Sequence, residues 1–274
     1  MASEIEMYRA LVRQEGDALL DQLPDVRPAS WSRQSPCAEW DVLDVLVHLG
    51  LGTAFQVAMV RNTLDGISRP AWDSWNRPEG TTPSEWFRQL HRETHTAGPE
   101  ANIAALRTEL DRYYALLDEA TQDDLDRPGW FFDGDAPLRT MVAARAFDLI
   151  MHAADIRRPL RILPPFSPEG SRFIGQYVSR SLPLYWKPEI AGDAAGMIHL
   201  EVDGDEVNLV MTPDGLRFAP PDGSADASVQ TSGGTWALLT WRKVPIDDAV
   251  AAGQATVAGD RALVSRFLGA MQTP

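Results

Sequence analysis

The most constraining feature of the sequence is an apolar helical stretch that carries a carboxylate and an imidazole on one face. Residues 139–159 read RTMVAARAFDLIMHAADIRRP, with Asp148 and His152 four residues apart. Side chains at this spacing leave a helix from the same face, one turn apart. Burying an unpaired carboxylate is costly, so the fold must supply Asp148 with a partner. The pair can hold one metal ion if a third ligand comes from elsewhere.

His48 is the best candidate for the third ligand. It lies in a second strongly helical segment, residues 40–64, with apolar residues on both sides. Two histidines and one carboxylate would leave a divalent ion with open coordination positions, as catalytic sites do and closed structural sites do not. The alternative interpretation makes each histidine a hydrogen-bonded residue of the core, because buried polar groups are generally paired. The residues alone leave both interpretations open.

The helical pattern extends over the whole first part of the chain. Apolar residues recur at helical spacing, and proline, glycine and polar residues separate the segments. The predicted helices cover residues 2–23, 40–64, 84–96, 99–120 and 139–159, and the predicted irregular connections cover residues 66–83 and 123–137. We expect the four long helices to form a four-helix bundle, a fold that builds metal sites in its core from facing helices.

The pattern changes after a proline-rich segment that begins at Pro159. Short segments then alternate as strands do, with turn signals such as the Asp-Gly pair at residues 203–204. The predicted strands cover residues 198–202, 207–212, 227–231 and 256–258, and the predicted helices cover residues 169–185, 235–241 and 261–271. We therefore predict a helical domain at residues 1–160 and an α+β domain with a small antiparallel sheet at residues 161–274.

Composition excludes several classes of partner. The net charge is −14 and the isoelectric point is about 4.7, whereas phosphate binding requires clustered Lys and Arg. The single cysteine, Cys37, excludes an internal disulfide framework and fits a reducing cytoplasm. The acidic first residues do not form a signal peptide, and no apolar run approaches the roughly 18 residues that span a bilayer. We expect a cytoplasmic protein that binds neither nucleic acid nor membrane.

Residues 35–50, SPCAEWDVLDVLVHLG, resemble the second-helix signature of the mycothiol-dependent maleylpyruvate isomerase family, which belongs to the wider group of DinB-like metal-binding bundles. That signature runs Pro-Cys/Ala-x-x-Trp-x-Val-x-Asp-Leu-x-x-His-Leu, and Val45 stands where the family has Leu. The positions that match are Pro36, Trp40, Val42, Asp44, His48 and Leu49.

The helix at residues 139–159 resembles the same family. Its segment ARAFDLIMHAADI is similar to the pattern Arg-x-x-Glu-x-x-x-His-x-x-Asp-Ile/Leu, and the matching positions are Arg145, His152, Asp155 and Ile156. Asp148 stands where the family has a metal-binding Glu. The shorter side chain reaches roughly an ångström less, while metal–oxygen distances tolerate only about ±0.2 Å. We expect a closer helix backbone, a bridging water or a lower metal affinity.

The last part of the chain also resembles the family. Residues 236–243 (WALLTWRK) and 255–260 (ATVAGD) are similar to its sterol-carrier-like second domain. The resemblance thus covers nearly the whole chain. It implies an N-terminal DinB-like four-helix bundle at residues 1–160, followed by a small sterol-carrier-like α+β domain at residues 161–274.

The resemblance implies an enzyme that uses a divalent metal, with zinc expected, and the low-molecular-weight thiol mycothiol. The reaction known for the family is the cis–trans isomerisation of maleylpyruvate, in which a thiolate adds to a double bond and leaves after the bond has rotated. Metal coordination lowers the pKa of a thiol. The same chemistry suits other small electrophiles, so an isomerase and a thiol S-transferase both stay open. The alternative class is a non-catalytic bundle that binds a metal or a small ligand.

In this scheme the metal ligands are His48, Asp148 and His152. Arg242 and Arg145 are the candidate catalytic residues. We expect the two domains to meet across a cleft, with Arg242 holding a substrate carboxylate opposite the metal. Arg242 could instead be a surface cation at a helix end, and Arg145 could support Asp148 rather than clamp the substrate. The sequence gives no oligomeric state.

Four further residues need an interpretation. His91 and His95 are also four residues apart, but their segment is polar on all sides, which is typical of a solvated helix face. Cys37 has no basic residue nearby in sequence to activate it, so we interpret it as a small buried residue rather than a nucleophile. Asp155 either orients the His152 imidazole or pairs with the arginines that follow it.

Overall fold

The computed structural model describes residues 3–67, 78–131, 134–192 and 195–272, and it divides into two compact units, Met1–Phe166 and Ser167–Pro274. Most of the predicted irregular connection at residues 66–83 lies outside the described residues. The first unit contains five α-helices and two short strands in its described part: α1 Glu4–Gln22, α2 Val42–Leu64, α3 Pro83–His95, α4 Gly98–Glu119, β1 Pro128–Phe131, β2 Gly134–Pro137 and α5 Leu138–Leu160.

The helices of the first unit begin where the sequence supplies capping residues. Ser3 caps α1 and Asp41 caps α2, and in each case the residue three positions later, Glu6 or Asp44, reaches back to the backbone of the cap. Such reciprocal caps satisfy backbone N–H groups that the first helical turn leaves unpaired. The cap at Asp41 places Trp40 just before α2 and fixes where His48 emerges from it.

The four long helices form the predicted bundle. Helix α2 contacts α4 and α5, α1 contacts the same two helices, and α3 packs against α2 and α4. The core between them is apolar and includes Leu19, Leu46, Leu106 and Leu149, each with no exposed surface. Because α2 and α5 are neighbours in this arrangement, side chains on their facing sides can share one site.

The predicted irregular connection at residues 123–137 is wrong in part. Residues Asp123–Asp126 form a 3₁₀ turn, and β1 and β2 pair as an antiparallel hairpin before α5. Gly129 allows the backbone of β1 to approach α2 closely. A Cβ at this position would overlap the side chain of Thr63 in α2. The strands are only four residues long, which is too short for the alternation of side chains to be recognisable.

The second unit has the predicted α+β character. Its elements are α6 Pro168–Tyr185, α7 Pro188–Ala191, β3 Gly196–Val202, β4 Asp205–Thr212, β5 Gly215–Ala219, β6 Ala227–Thr231, α8 Gly233–Thr240, α9 Ile246–Ala251, β7 Ala255–Gly259 and α10 Arg261–Gly269. The strands form one sheet in the order β5-β4-β3-β6-β7. The prediction of an antiparallel sheet is wrong for one pair, because β6 runs parallel to β3.

The expectation that no segment is long and apolar enough to cross a bilayer is wrong for helix α2. Among the described residues it alone reaches that length and composition, with a mean hydropathy of 1.6. Its apolar residues include Val45, Leu46, Leu49 and Val60, all buried in the bundle. A buried core helix satisfies the same criterion as a membrane span, so this property is weak support for a membrane location.

Candidate metal centre

Three side chains predicted as metal ligands meet between α2 and α5. The Nε2 atom of His48 lies 3.4 Å from Oδ1 of Asp148, and the Nε2 atom of His152 lies 3.3 Å from the same oxygen. The two imidazole rings meet edge to face, with centroids 4.7 Å apart. Helical spacing places Asp148 and His152 together on α5, and the packing of the bundle brings His48 to them across 100 residues of sequence.

The spacing of these atoms fits a shared cation. Ligand atoms about 2.1 Å from one tetrahedral metal ion are about 3.4 Å from each other. The separations between the Asp148 oxygen and the two imidazole nitrogens have that length. The shorter side chain of Asp148 therefore reaches both histidines, although the family has Glu at this position. Two nitrogens and one oxygen suit zinc or a similar divalent ion and leave coordination positions open.

The second carboxylate oxygen of Asp148 is held by Arg145. Nη1 of Arg145 donates to Oδ2 of Asp148 at 2.6 Å, and Nη2 donates to the carbonyl of Leu49 at 3.4 Å. The Arg145 side chain is 1% exposed. Gly52 provides the room for this pair, because a Cβ there would lie 3.1 Å from Nη1 of Arg145. Arg145 thus contacts Asp148 and offers almost no surface to a substrate.

The imidazole of His152 is oriented by a buried carboxylate. Its Nδ1 lies 3.0 Å from Oδ2 of Asp155, which has no exposed surface. A carboxylate accepts here, so Nδ1 carries a hydrogen, and in the neutral ring Nε2 has the lone pair that faces Asp148. The thiol of Cys37 donates to the same Asp155 oxygen at 3.2 Å and lies 3.9 Å from Nδ1 of His152. Of the two arginines considered as alternative partners of Asp155, Arg157 lies 3.5 Å from Glu15, whereas the charge of Asp155 acts on Arg158 and opposes the lowering of its pKa by burial.

Burial and the contact between Asp148 and the imidazoles together set the pKa values in the cluster. Burial opposes the charged form of Asp148, but the nearby charges of His152 and His48 hold its pKa well below the usual range. Burial also opposes protonation of His152. The charge of Asp148 and its hydrogen bond outweigh burial, so the pKa of His152 is raised well above its ordinary value. Burial lowers the pKa of His48. A divalent ion would take the place of the proton that His152 shares with Asp148.

The turn before α2 places Cys37 and Trp40 beside the cluster. The hydroxyl of Ser35 donates to the carbonyl of Trp40 at 2.8 Å and accepts from the amide of Cys37 at 3.1 Å. Glu39 has a φ of 63° and turns the chain back towards the bundle. The Trp40 ring centroid lies 5.0 Å from that of His48. The contact of Cys37 with Asp155 spans 118 residues and leaves no signal in the local sequence.

Two other predictions about residues have different outcomes. The interpretation of His91 as a solvated residue is wrong, because it is 9% exposed and its ring stacks on Trp40 with centroids 5.3 Å apart. Arg242 lies in the second unit, exposed, just after α8, with a left-handed φ of 55°. Its role as a catalytic cation stays a prediction.

The fold and this cluster define the class of the protein. It is a helical bundle with two imidazoles and one carboxylate at ligand spacing on facing helices, followed by an α+β unit. The family described as the mycothiol maleylpyruvate isomerase N-terminal domain matches residues 12–157, more than half of the chain. The protein therefore belongs to that family.

Solved structures support the same fold. The crystal structure of a mycothiol-dependent maleylpyruvate isomerase is similar at a TM-score of 0.62 and 15% identity, over 87% of this chain and 91% of that chain. A mutant form of that isomerase gives a TM-score of 0.65 and 14% identity, over 94% of this chain and 96% of that chain. At such low identity the likeness shows the fold alone. No curated protein shows significant sequence similarity to the chain.

Proposed function

We propose that the protein is a metal-dependent enzyme that activates mycothiol for attack on a small electrophile, as an isomerase of the maleylpyruvate type or as a thiol S-transferase. The observation that carries this proposal is the meeting of His48, Asp148 and His152 at 3.3–3.4 Å in a chain of this family. The same ligand set is what the sequence predicts. Zinc is the metal we propose for it.

The bound cation would lower the pKa of a coordinated thiol, so that the nucleophilic thiolate is available at neutral pH. His48, Asp148 and His152 would hold it, and three protein ligands leave a position for the sulfur. The residues around them prepare the ligand atoms. Arg145 fixes Oδ2 of Asp148, so Oδ1 stays directed at the imidazoles. Asp155 keeps the hydrogen of His152 on Nδ1, away from that position.

Aromatic side chains border the same region. The ring of Trp40 lies 5.0 Å and the ring of Phe87 lies 6.1 Å from the ring of His48, measured between centroids. Such surfaces suit the carbon skeleton of a small electrophile, because small-molecule sites combine apolar linings with a few placed polar groups. We keep Arg242 as the proposed cation for a substrate carboxylate. For Arg145 we propose a positioning role. A cytoplasmic location completes the proposal.

The test uses the full chain with and without metal. The protein is stripped with a chelator, reloaded with Zn²⁺ or Co²⁺, and incubated with mycothiol and a set of electrophiles that includes maleylpyruvate, an epoxide and an aryl halide. Mass spectrometry then detects conjugates, and absorbance detects isomerisation. We expect turnover that requires both the metal and the thiol and that is lost in His48→Ala.

Cobalt distinguishes the enzyme from a passive metal-binding bundle. If the thiol coordinates the ion, addition of mycothiol changes the visible spectrum of the cobalt-loaded protein. A protein that binds cobalt but shows no spectral response to mycothiol and no turnover with any electrophile would contradict the proposal and favour the non-catalytic class.

A further inference from the structure

A second group of imidazoles and carboxylates lies where the start of α2 meets the end of α3. Nε2 of His95 lies 3.6 Å from Oδ1 of Asp44 and 3.8 Å from Oδ1 of Asp41. Nδ1 of His91 lies 3.8 Å from Oδ1 of Asp44. The proposed function uses none of these four side chains. The pair at His91 and His95, which the sequence presents at helical spacing, therefore faces two carboxylates.

The hydrogen bonding of His91 leaves a lone pair directed at a carboxylate. Its Nε2 lies 3.0 Å from the backbone carbonyl of Asp44, and a carbonyl can only accept, so Nε2 carries a hydrogen. In the neutral ring Nδ1 is then an acceptor, and it faces Oδ1 of Asp44. Stacking on Trp40, with an interplanar angle of 22°, fixes the ring in this orientation. A cation or a water molecule that donates to both groups would satisfy these two acceptors.

The two carboxylates are held in place by the cap of α2. Oδ1 of Asp41 accepts from the amide of Asp44 at 2.8 Å, and Oδ2 of Asp44 accepts from the amide of Asp41 at 2.9 Å. Oδ1 of Asp44 is thus left to face both imidazoles. A carboxylate oxygen has two lone pairs, so the oxygen of Asp41 can accept the capping bond and still coordinate. The backbone therefore fixes the oxygen donors before any ligand arrives.

We propose that His95, Asp41 and Asp44 form a second site for a divalent transition-metal ion of the zinc type, with His91 beside it against Asp44. Ligand atoms around one tetrahedral ion are about 3.4 Å apart. The separations of 3.6 and 3.8 Å between Nε2 of His95 and the two carboxylate oxygens require those side chains to move by only a few tenths of an ångström. Imidazole donors favour Zn²⁺, Co²⁺ or Ni²⁺ over Mg²⁺ and Ca²⁺, which prefer oxygen ligands.

A cation in this second site would tie α3 to the start of α2 beside Trp40. The ring of Trp40 contacts His91 on this side, and it also lies 5.0 Å from His48 of the candidate metal centre. The side chains of the second site are partly accessible, with 36% exposure for His95 and 26% for Asp41. An ion can therefore enter from solvent without the bundle opening.

The test counts bound metal by equilibrium dialysis of the metal-free full chain against a series of buffered Zn²⁺ concentrations. We expect two ions per chain for the wild type, one for His95→Gln and one for His48→Gln, and none for the double variant. His91→Gln keeps the three proposed ligands and should keep two ions. The matched control is His199→Gln, which changes a histidine of β3 in the second unit and should keep two ions. Asp41 and Asp44 stay unchanged, because they cap α2.

Replacement of a ligand should lower the zinc affinity of its site more than about tenfold. Removal of a group that only hydrogen-bonds to a metal ligand already lowers metal affinity by that factor. Far-UV circular dichroism of each variant verifies the fold. If the wild type binds one ion and His95→Gln leaves that number unchanged, the second site does not exist. If the His48 variant keeps its full metal content while the His95 variant loses one ion, the second site stands and the candidate metal centre fails.

Discussion

Replacement of Asp155 tests how the candidate metal centre is prepared. Asp155 has no exposed surface, and one of its oxygens accepts from Nδ1 of His152 at 3.0 Å and from the thiol of Cys37 at 3.2 Å. Removal of a group that orients a metal-binding histidine typically costs about 10–100-fold in affinity. That range corresponds to about 1.4–2.7 kcal/mol at 25 °C.

The two substitutions at this position should differ. Asp155→Asn keeps an acceptor for the His152 N–H but loses the charge, and charge-assisted hydrogen bonds are about twice as strong as neutral ones. We therefore expect a loss of about tenfold for Asn and about 100-fold for Asp155→Ala, the two ends of the range for such partners. Cys37→Ala removes a weak sulfur donor and leaves the imidazole bond intact, so its zinc affinity should change little.

The assay is a zinc competition against a chromophoric chelator at fixed pH. Chemical unfolding of the metal-free proteins runs beside it, because Asp155→Ala deprives two partly buried donors of their acceptor and should destabilise the fold by about 1–3 kcal/mol. The difference in affinity is compared only between variants that are folded under the conditions of the assay. If Asp155→Ala binds zinc as tightly as the wild type, then Asp155 does not set the tautomer of His152, and the orientation argued from the 3.0 Å contact is refuted.

Three further predictions concern the proposed ligands, the glycines of α2 and Arg242. Asp148→Ala should lose the ion of this centre while Asp148→Glu keeps it, by elemental analysis, and equal metal content in the wild type and the Ala variant would exclude Asp148 as a ligand. Gly52→Ala should weaken zinc binding because its Cβ would lie 3.1 Å from Nη1 of Arg145, whereas Gly50→Ala, where the nearest atom is 4.0 Å away, should stabilise α2 by about 0.5–1 kcal/mol without changing affinity. Equal zinc affinities in these two variants would remove the steric argument. Arg242→Ala should lower turnover roughly a hundredfold with metal content unchanged, and wild-type kinetics would exclude it from catalysis.

The long helices and the neighbouring positions of Asp148 and His152 could be predicted because both depend on local spacing. The ligand set as a whole stays a prediction, and the choice of His48 rests on its apolar helix and on the family resemblance. The predicted helix at residues 40–64 is α2 Val42–Leu64, and the one at residues 139–159 is α5 Leu138–Leu160. A long amphipathic period identifies such elements over many residues, and only the capping residue decides the boundary. The shared position of Asp148 and His152 follows from the helical period itself.

The features that the sequence did not predict are short elements and contacts between distant parts of the chain. Strand β5 is five residues long and β1 is four, so neither shows a clear alternation. The parallel pairing of β6 with β3 is decided by the path of the chain and not by the composition of either strand. The burial of His91 against Trp40 likewise exists only once α3 has packed on α2.

The separation of His48 and Asp148 by 100 residues gives the candidate metal centre a consequence for folding. An ion shared by the two side chains would close a loop that contains α3 and α4. Closing this loop from the unfolded chain costs conformational entropy. The cost grows only slowly with loop length, by about 0.6 kcal/mol for each doubling. The binding free energy of the ion would then add to the stability of the native state, because the unfolded chain offers no such site. The order of events is also constrained: α2 and α5 must dock before the site exists, so the ion should slow unfolding far more than it speeds folding.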